Sequence, residues 1–379
     1  MSLSRRFLNV IMNNSTSGTR SLHRIDLTRG DFFYPPGTPP PPAPEMERIR
    51  LPSHTMSSKT TGSSFLPISD RKVLCTGQGG DDAFVFDADT HHVVTVPAVD
   101  NLKWKPISVF VPSAAAAGDD PEGILFVMER RPKHEGYSKL RPSHQFEAFA
   151  YRRSSKTSPS ESWQRQLLPP PPYLRGSRYQ SYRNKITSYA VLGDGSHVCI
   201  STKGINGFFQ SFTATHCLDT VKHTWSAVGE WALPFEGMAE YVPELKLWFA
   251  TLGTQTLGAF DLSSMDSKPS VVCDWSWSLD LDDDALEHGS AESDKTLKKW
   301  WEPLESQRVH LGSGRFIVAS SFHTRGIVKT CSGTELTSNR FAVLTGVEVM
   351  APVDGVGELQ LVKHKSKRTS DGTLFNLVF

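Results

Sequence analysis

Three stretches of this 379-residue chain hold residue types that can do chemistry. The tandem His91-His92 invites a metal ion. Adjacent side chains in a strand face opposite ways, so the two imidazoles do not converge on one ion. The stretch "GQGGDD" (Gly77 to Asp82) has the glycines of a phosphate cradle. It lacks the lysine and the following helix that such a cradle needs. The stretch "LDLDDDALEHGSAESD" (Leu279 to Asp294) carries seven acids and no Lys or Arg. Its glycine and glutamates are out of register with a calcium loop, so it reads as a solvated acidic loop. No GxSxG elbow is present. Sequence therefore assigns no catalytic residue, no metal ligand and no cofactor.

A fourth kind of residue cluster points to contact rather than catalysis. "ERRPKHEGYSKLRPSH" contains Arg130 and Arg131, with Lys133, Lys139 and Arg141 beyond them. "PPPPYLRGSRYQSYRNK" contains Arg175, Arg178, Arg183 and Lys185, interleaved with Tyr173, Tyr179 and Tyr182. Arg and Tyr are enriched where protein partners are held. The plain reading of each stretch is an exposed polar loop. Basic residues among aromatics also suit single-stranded RNA. A net charge of +1, from 41 basic and 40 acidic residues, gives no bulk attraction to nucleic acid or to an anionic membrane.

These residues need a scaffold, and the chain supplies one by repetition. In "KVLCTGQGGDDAFVFDADTHHVVTVP" (Lys72 to Pro97), β-rich runs alternate with tight turns, and the last run stops at proline. "HVCISTKG…SFTATHCLDTVKHTWSAVGEWALP" (His197 to Pro234) has the same shape. In both, an aspartate opens a turn, where its carboxylate accepts backbone N–H groups. Similar units start at Arg6, Gly123, Lys246 and Arg315. Each is a three-strand meander. Five apolar runs precede a unit and supply a fourth, inner strand: "SSFLPI", "PISVFVP", "ITSYAVL", "MAEYV" and "QRVHL". The first unit lacks one, and the chain ends in an unassigned strand, "TLFNLVF" (Thr373 to Phe379).

The expected fold is all-β: a six-bladed β-propeller, kelch-like, with the first blade closed by the C-terminal strand. One domain spans 1–379, with blade one formed by 5–36 plus 373–379. A Pro/Ser-rich linker covers 37–62, and its run "YPPGTPPPPAP" suits a stiff extended spacer. Residues 279–305 form an acidic loop with a short helix at Ser293 to Leu304, capped by Ser293 and stopped by Pro303. In such blades the second-to-third turns and the inter-blade links share one end. The long segments 34–62, 129–144, 169–185, 279–305 and 322–339 fall there.

Residues at both ends also carry a resemblance. "SRRFLNVIMNN" with "SLHRIDLTRGDFFYP", and "LVKHKSK" near the end, resemble an uncharacterised, grass-expanded (rice-type) family defined by a domain of unknown function. That family is similar to the kelch repeats of F-box-associated propellers, and the stretch from Val73 to Pro97 is the most kelch-like here. The kelch Gly-Gly doublet is clear only at Gly79-Gly80. The outer-strand Trp is matched at Trp225 and Trp163, while His91 or His92 takes its place in the second unit. No F-box-like segment is expected before the repeats. The resemblance implies a plant protein and a propeller, and it brings no activity and no functional residues.

The five cysteines form no CxxC pair and read as buried thiols in a reducing compartment. No apolar run is long enough for a membrane helix. A cytoplasmic or nuclear monomer is expected, or an organellar one if the Arg- and Ser-rich residues 1–25 act as a transit peptide. The function expected is a protein-interaction scaffold or adaptor of unknown pathway, which binds an unidentified partner through the loop-rich end. The alternative is a small-molecule-binding or enzymatic propeller that uses its central channel.

Overall fold

The computed structural model describes residues 3–14, 18–29, 32–33, 46–52, 64–77, 82–101, 103–113, 122–135, 142–153, 161–175, 184–205, 210–278, 296–330, 333–352 and 357–379. Regular structure among them is all β, apart from single 3₁₀ turns at Leu27–Arg29, Pro172–Leu174 and Gly193–Gly195. The first sheet contains β1 (Phe7–Asn14), β2 (Arg20–Asp26), β3 (Glu47–Ile49) and, from the far end of the chain, β24 (Thr373–Val378), in the order β24-β1-β2-β3. β24 runs antiparallel to β1, with Val378 opposite Val10 and Thr373 opposite Asn14. The second sheet is β4 (Ser64–Pro67), β5 (Lys72–Thr76), β6 (Ala83–Asp87) and β7 (Val93–Thr95). The third is β8 (Ile107–Pro112), β9 (Gly123–Met128), β10 (Ser143–Arg153) and β11 (Glu161–Leu168).

An eight-stranded sheet follows. It joins β12 (Lys185–Leu192), β13 (His197–Ile205), β14 (Ser211–Asp219) and β15 (Trp225–Gly229) to β16 (Glu236–Val242), β17 (Leu247–Gly253), β18 (Thr256–Phe260) and β19 (Val271–Ser276). The join is a short parallel pairing of the two first strands, Ser188 to Ala190 against Gly237 to Ala239. The last sheet is β20 (Thr296–Gly312), β21 (Arg315–Thr330), β22 (Gly333–Met350) and β23 (Gln360–Arg368). All five apolar runs read as inner strands are strands: β4, β8, β12, β16 and the second half of β20.

The chain divides into two compact units. One comprises Met1–Leu51, Thr251–Gly258 and Cys273–Val378; the other comprises Pro52–Ala250, Ala259–Val272 and Phe379. In the first, Leu8, Val10 and Met12 of β1 pack with Val309 and Leu311 of β20, Ile317 of β21 and Leu344 of β22. In the second, one core gathers Ile107, Val109, Phe126, Phe146, Ile186, Ile200 and Leu218. Removing such surfaces from water is the main favourable term, and each fully buried Leu, Ile or Phe contributes about 1.5–3 kcal/mol.

The turns explain why the repeat can be read. Asp87 ends the third strand of its sheet, and its Oδ1 accepts the N–H groups of Asp89 (2.9 Å) and Thr90 (3.1 Å). Asp219 does the same with Val221 (3.0 Å) and Lys222 (2.8 Å). Four residues after each aspartate a histidine takes a left-handed conformation, His91 at φ 59° and His223 at φ 55°. Asp26 and Asp261 accept the N–H two residues on, from Thr28 and Ser263. These carboxylates are acceptor sites for otherwise open turn donors. The N–H groups of Lys222 and Val221 hold the Asp219 carboxyl below its usual range, with Lys222 the larger contributor.

Four expectations need correction. Thr296 to Leu304 is the start of β20 rather than a helix, because its backbone pairs with β21, Trp300 opposite Arg325 and Trp301 opposite Thr324. The segment 322–339 is likewise paired strand on both sides of 331–332, since β21 and β22 continue in register from Arg315/Glu348 to Thr330/Gly333. The outer strand of the first sheet is Glu47–Ile49, inside the segment read as linker, while Phe32, within the 5–36 assigned to that blade, is buried in the core. Cys199 and Cys217 are not free thiols but a disulfide, because register sets them directly opposite on β13 and β14. Cys75 is a free, buried thiol, and burial raises its pKa. The proline run, most of the glycine loop at 78–81, the acidic residues 279–294 and Cys331 lie outside the described residues.

Candidate functional site

The site is built on an ionic brace in the second unit. The link from β7 to β8 would be a free loop if nothing held it. Lys103 sits in this link with its side chain 2% exposed, against Glu147 of β10 at 0%. The Lys103 ammonium donates to the Glu147 carboxylate and to the carbonyls of Asp100 (2.9 Å) and His144 (3.1 Å). The other Glu147 oxygen accepts the Asp100 N–H at 3.0 Å, with the Arg165 guanidinium 4.0 Å away. Arg165 also donates to the Ala98 carbonyl at 2.8 Å. Burial pushes the Glu147 carboxyl up in pKa, and Lys103 pulls it back down. A buried pair of this kind contributes little net stability, but losing one partner strands the other charge. It therefore acts as a lock on the link's position.

The lock presents the next residue. Trp104 is 47% exposed. Its N–H donates to Glu129 Oε2 at 2.7 Å, and the N–H of Arg131 donates to the other oxygen at 2.9 Å. One carboxylate thus sets both backbones, and the Arg131 guanidinium lies 4.1 Å over the Trp104 ring. The Lys105 ammonium is 5.6 Å from the same ring. Lys105 holds φ at 47°, a left-handed conformation costly for a residue with a Cβ, and it marks a tight turn. A cation over an indole is worth about 0.5–1 kcal/mol at an exposed position and more when a partner excludes water.

Two backbone bonds tie the other basic segments to this one. The Ile186 N–H donates to the Arg130 carbonyl at 2.9 Å, which sets Lys185 beside Arg130 along the chain ends. The Glu135 N–H donates to the Leu174 carbonyl at 2.9 Å, which draws in the Tyr173-to-Arg175 turn. That turn is anchored because Tyr173 and Leu174 are buried in the core. Gln145 fixes the intervening chain by accepting the Lys133 N–H at 2.6 Å and donating to the Lys133 carbonyl at 2.9 Å. Lys105, Arg131, Lys133 and Lys185 are exposed, while Arg130 and Arg175 are half-buried.

The structure thus brings together the segments of Arg130, Arg131, Arg175 and Lys185. Arg178, Tyr179, Tyr182 and Arg183 lie outside the described residues. Sequence reading passed over Trp104. Its signal was a Trp flanked by lysines, "LKWKP", just ahead of an inner strand. Among the described residues no group of three or more His, Cys, Asp or Glu could hold a metal ion. His91 belongs to the turn after β6 and stacks on Phe86, with ring centroids 6.3 Å apart. No helix among the described residues is long and apolar enough to cross a membrane.

A family model described as "Protein of unknown function (DUF1668)" matches residues 5–369. No curated protein matches the chain. Solved structures similar to it include the β-propeller domain of Cps50 (Swd1) from Myceliophteria thermophila, at 10% identity and TM-score 0.36, over 92% of this chain and 95% of that one. Hsv2p of Kluyveromyces lactis aligns at 8% identity and TM-score 0.34, over 93% and 83%. The WD40 domain of SCAP from fission yeast aligns at 8% identity and TM-score 0.31, over 99% and 90%. Likeness of this degree says nothing of activity or partner.

Proposed function

The chain belongs to the DUF1668 family of proteins of unknown function, and we propose that it is an interaction scaffold that grips an acidic partner segment on the Trp104–Arg131 end. The exposed Trp104 carries this reading. A large indole left nearly half in water, on a backbone fixed by Glu129 and with its ring roofed by a guanidinium, is a preorganised anchor of the kind that dominates interface energetics. The exposed Lys105, Arg131, Lys133 and Lys185 around it favour an acidic partner.

The scaffold is a six-bladed, kelch-like β-propeller in this proposal. Support comes from four-stranded groups laid down in chain order, the eight-stranded sheet counting as two. First strands of neighbouring groups also lie side by side. β12 pairs with β16, and Gln307 of β20 accepts the Val378 N–H (3.0 Å) and donates to the Asn376 carbonyl (3.1 Å) of β24. Trp163 and Trp225 on outer strands suit the kelch type. A plant source rests on the sequence resemblance.

The test uses a fluorescent peptide of alternating Glu and Phe, with a Lys/Phe peptide as control. The Glu/Phe peptide is expected to bind and to weaken with added salt. The double variant Trp104→Ala, Arg131→Gln is expected to weaken it about tenfold, or about 1.4 kcal/mol. Equal binding of both peptides, or no effect of the variant, would reject the site.

A further inference from the structure

A second site lies in the same unit, on different residues. Between the β4–β7 sheet and the β8–β11 sheet is a cavity of about 380 Å³. Small-molecule sites begin at about this size, roughly 300 Å³. Its aromatic wall is Trp163 of β11 against Tyr151 of β10, with ring centroids 4.9 Å apart and planes tilted by 32°, and Phe110 of β8 beside them. Its polar rim carries Arg71, Lys72 and Asp87.

The comparison within the chain is informative. Trp225 holds the matching outer-strand position in the next group of strands. Its indole N–H donates to the Pro169 carbonyl at 2.8 Å, and its ring meets Phe146 edge-on at 6.0 Å. Trp163 is likewise half-buried against a core cluster, but it also borders the open volume.

Charge selects the ligand. The rim has two cations, Arg71 and Lys72, to one carboxylate, Asp87, which is shared between Arg71 and its own turn, with His92 beside them. Asp87 Oδ1 takes two turn N–H groups, and Oδ2 faces Arg71 Nε at 3.8 Å. The Lys72 ammonium stands 5.7 Å from the Tyr151 ring centroid. A ring stacked on the Trp163–Tyr151 wall would hold a carboxylate at its edge near Lys72, where the opposite charges attract at short range. A cationic ligand would meet Arg71 and Lys72 instead.

We propose that this cleft binds a small planar aromatic anion, its ring on Trp163 and Tyr151 and its negative group at Lys72. The probes are 2-naphthoate, its neutral analogue 2-naphthylmethanol, and acetate, each titrated by calorimetry into the intact chain. Naphthoate is expected to bind at least tenfold more tightly than the alcohol, and acetate not to bind. Lys72→Gln is expected to erase that tenfold preference and leave the alcohol unchanged; Trp163→Ala should weaken both ring compounds. Thermal melting checks that each variant folds, and Lys72→Gln, at the rim, keeps the test decisive if Trp163→Ala does not. Equal affinity for naphthoate and the alcohol, absence of naphthoate binding, or an unchanged preference in Lys72→Gln overturns the proposal. Trp104→Ala with Arg131→Gln is expected to leave naphthoate binding intact, so the two sites fail or stand separately.

Discussion

Acidification should destabilise this protein through His216 in a way that one substitution removes. His216 lies on β14, 6% exposed, with its ring 5.2 Å from that of Tyr173. Its Nδ1 is buried without a hydrogen-bond partner among the described residues. Tyr173 offers no negative charge, because burial raises its own pKa, and its hydroxyl oxygen accepts from Thr202 at 3.0 Å. Burial therefore lowers the His216 pKa from 6.5 to about 4. The unfolded chain takes the proton first. Stability is fully present above pH 6.5, falls as pH drops through the unfolded pKa, and levels off below about pH 4. Linkage gives a loss of about 2 kcal/mol at pH 5 and about 3 kcal/mol at pH 4. His216→Phe keeps a ring in the same space and cannot charge. Urea unfolding of both proteins, followed by tryptophan fluorescence at pH 7.5, 5 and 4, isolates the term as the difference between them. A difference that stays flat across that range would refute the reasoning, as would the His216 imidazole, assigned by its loss in His216→Phe, titrating near pH 6.5 by NMR in the folded protein.

Two further tests concern the scaffold. Lys103→Met should cost about 3–5 kcal/mol by stranding the Glu147 charge, and adding Glu147→Leu should restore most of that loss in urea unfolding; a single variant costing under about 1 kcal/mol would show that the brace does not lock the link. Asp87→Ala should cost about 1 kcal/mol in thermal melting through two lost turn acceptors, while Asp87→Asn keeps an oxygen there and most of the stability; equal effects of Ala and Asn would count against the turn geometry.

Strand existence was legible because it depends on local pattern. The alternation in "AFVFD" and the apolar run "PISVFVP" became β6 and β8. The aspartate turns were legible for the same reason, since donor and acceptor lie within a few residues of each other. The helix expected at Ser293 to Leu304 failed because "LKKWWEPL" suits either state locally, and pairing with β21 decided for strand. The basic loops were found as charge clusters. Their mutual placement was not, because the Ile186–Arg130 and Glu135–Leu174 bonds join residues about 40–55 positions apart.

By itself, the sequence determined an all-β chain of repeated meanders, the aspartate turns and the absence of any local catalytic motif, since each is a property of a few neighbouring residues. Tertiary structure alone decided that Cys199 meets Cys217, that Glu147 buries beside Lys103, that Trp104 stands out under Arg131, and that Trp163 borders a cavity while the Trp225 indole bonds Pro169. Those outcomes depend on which strands become neighbours. Neighbour choice is set by the summed burial of many side chains, which no short window of residues contains.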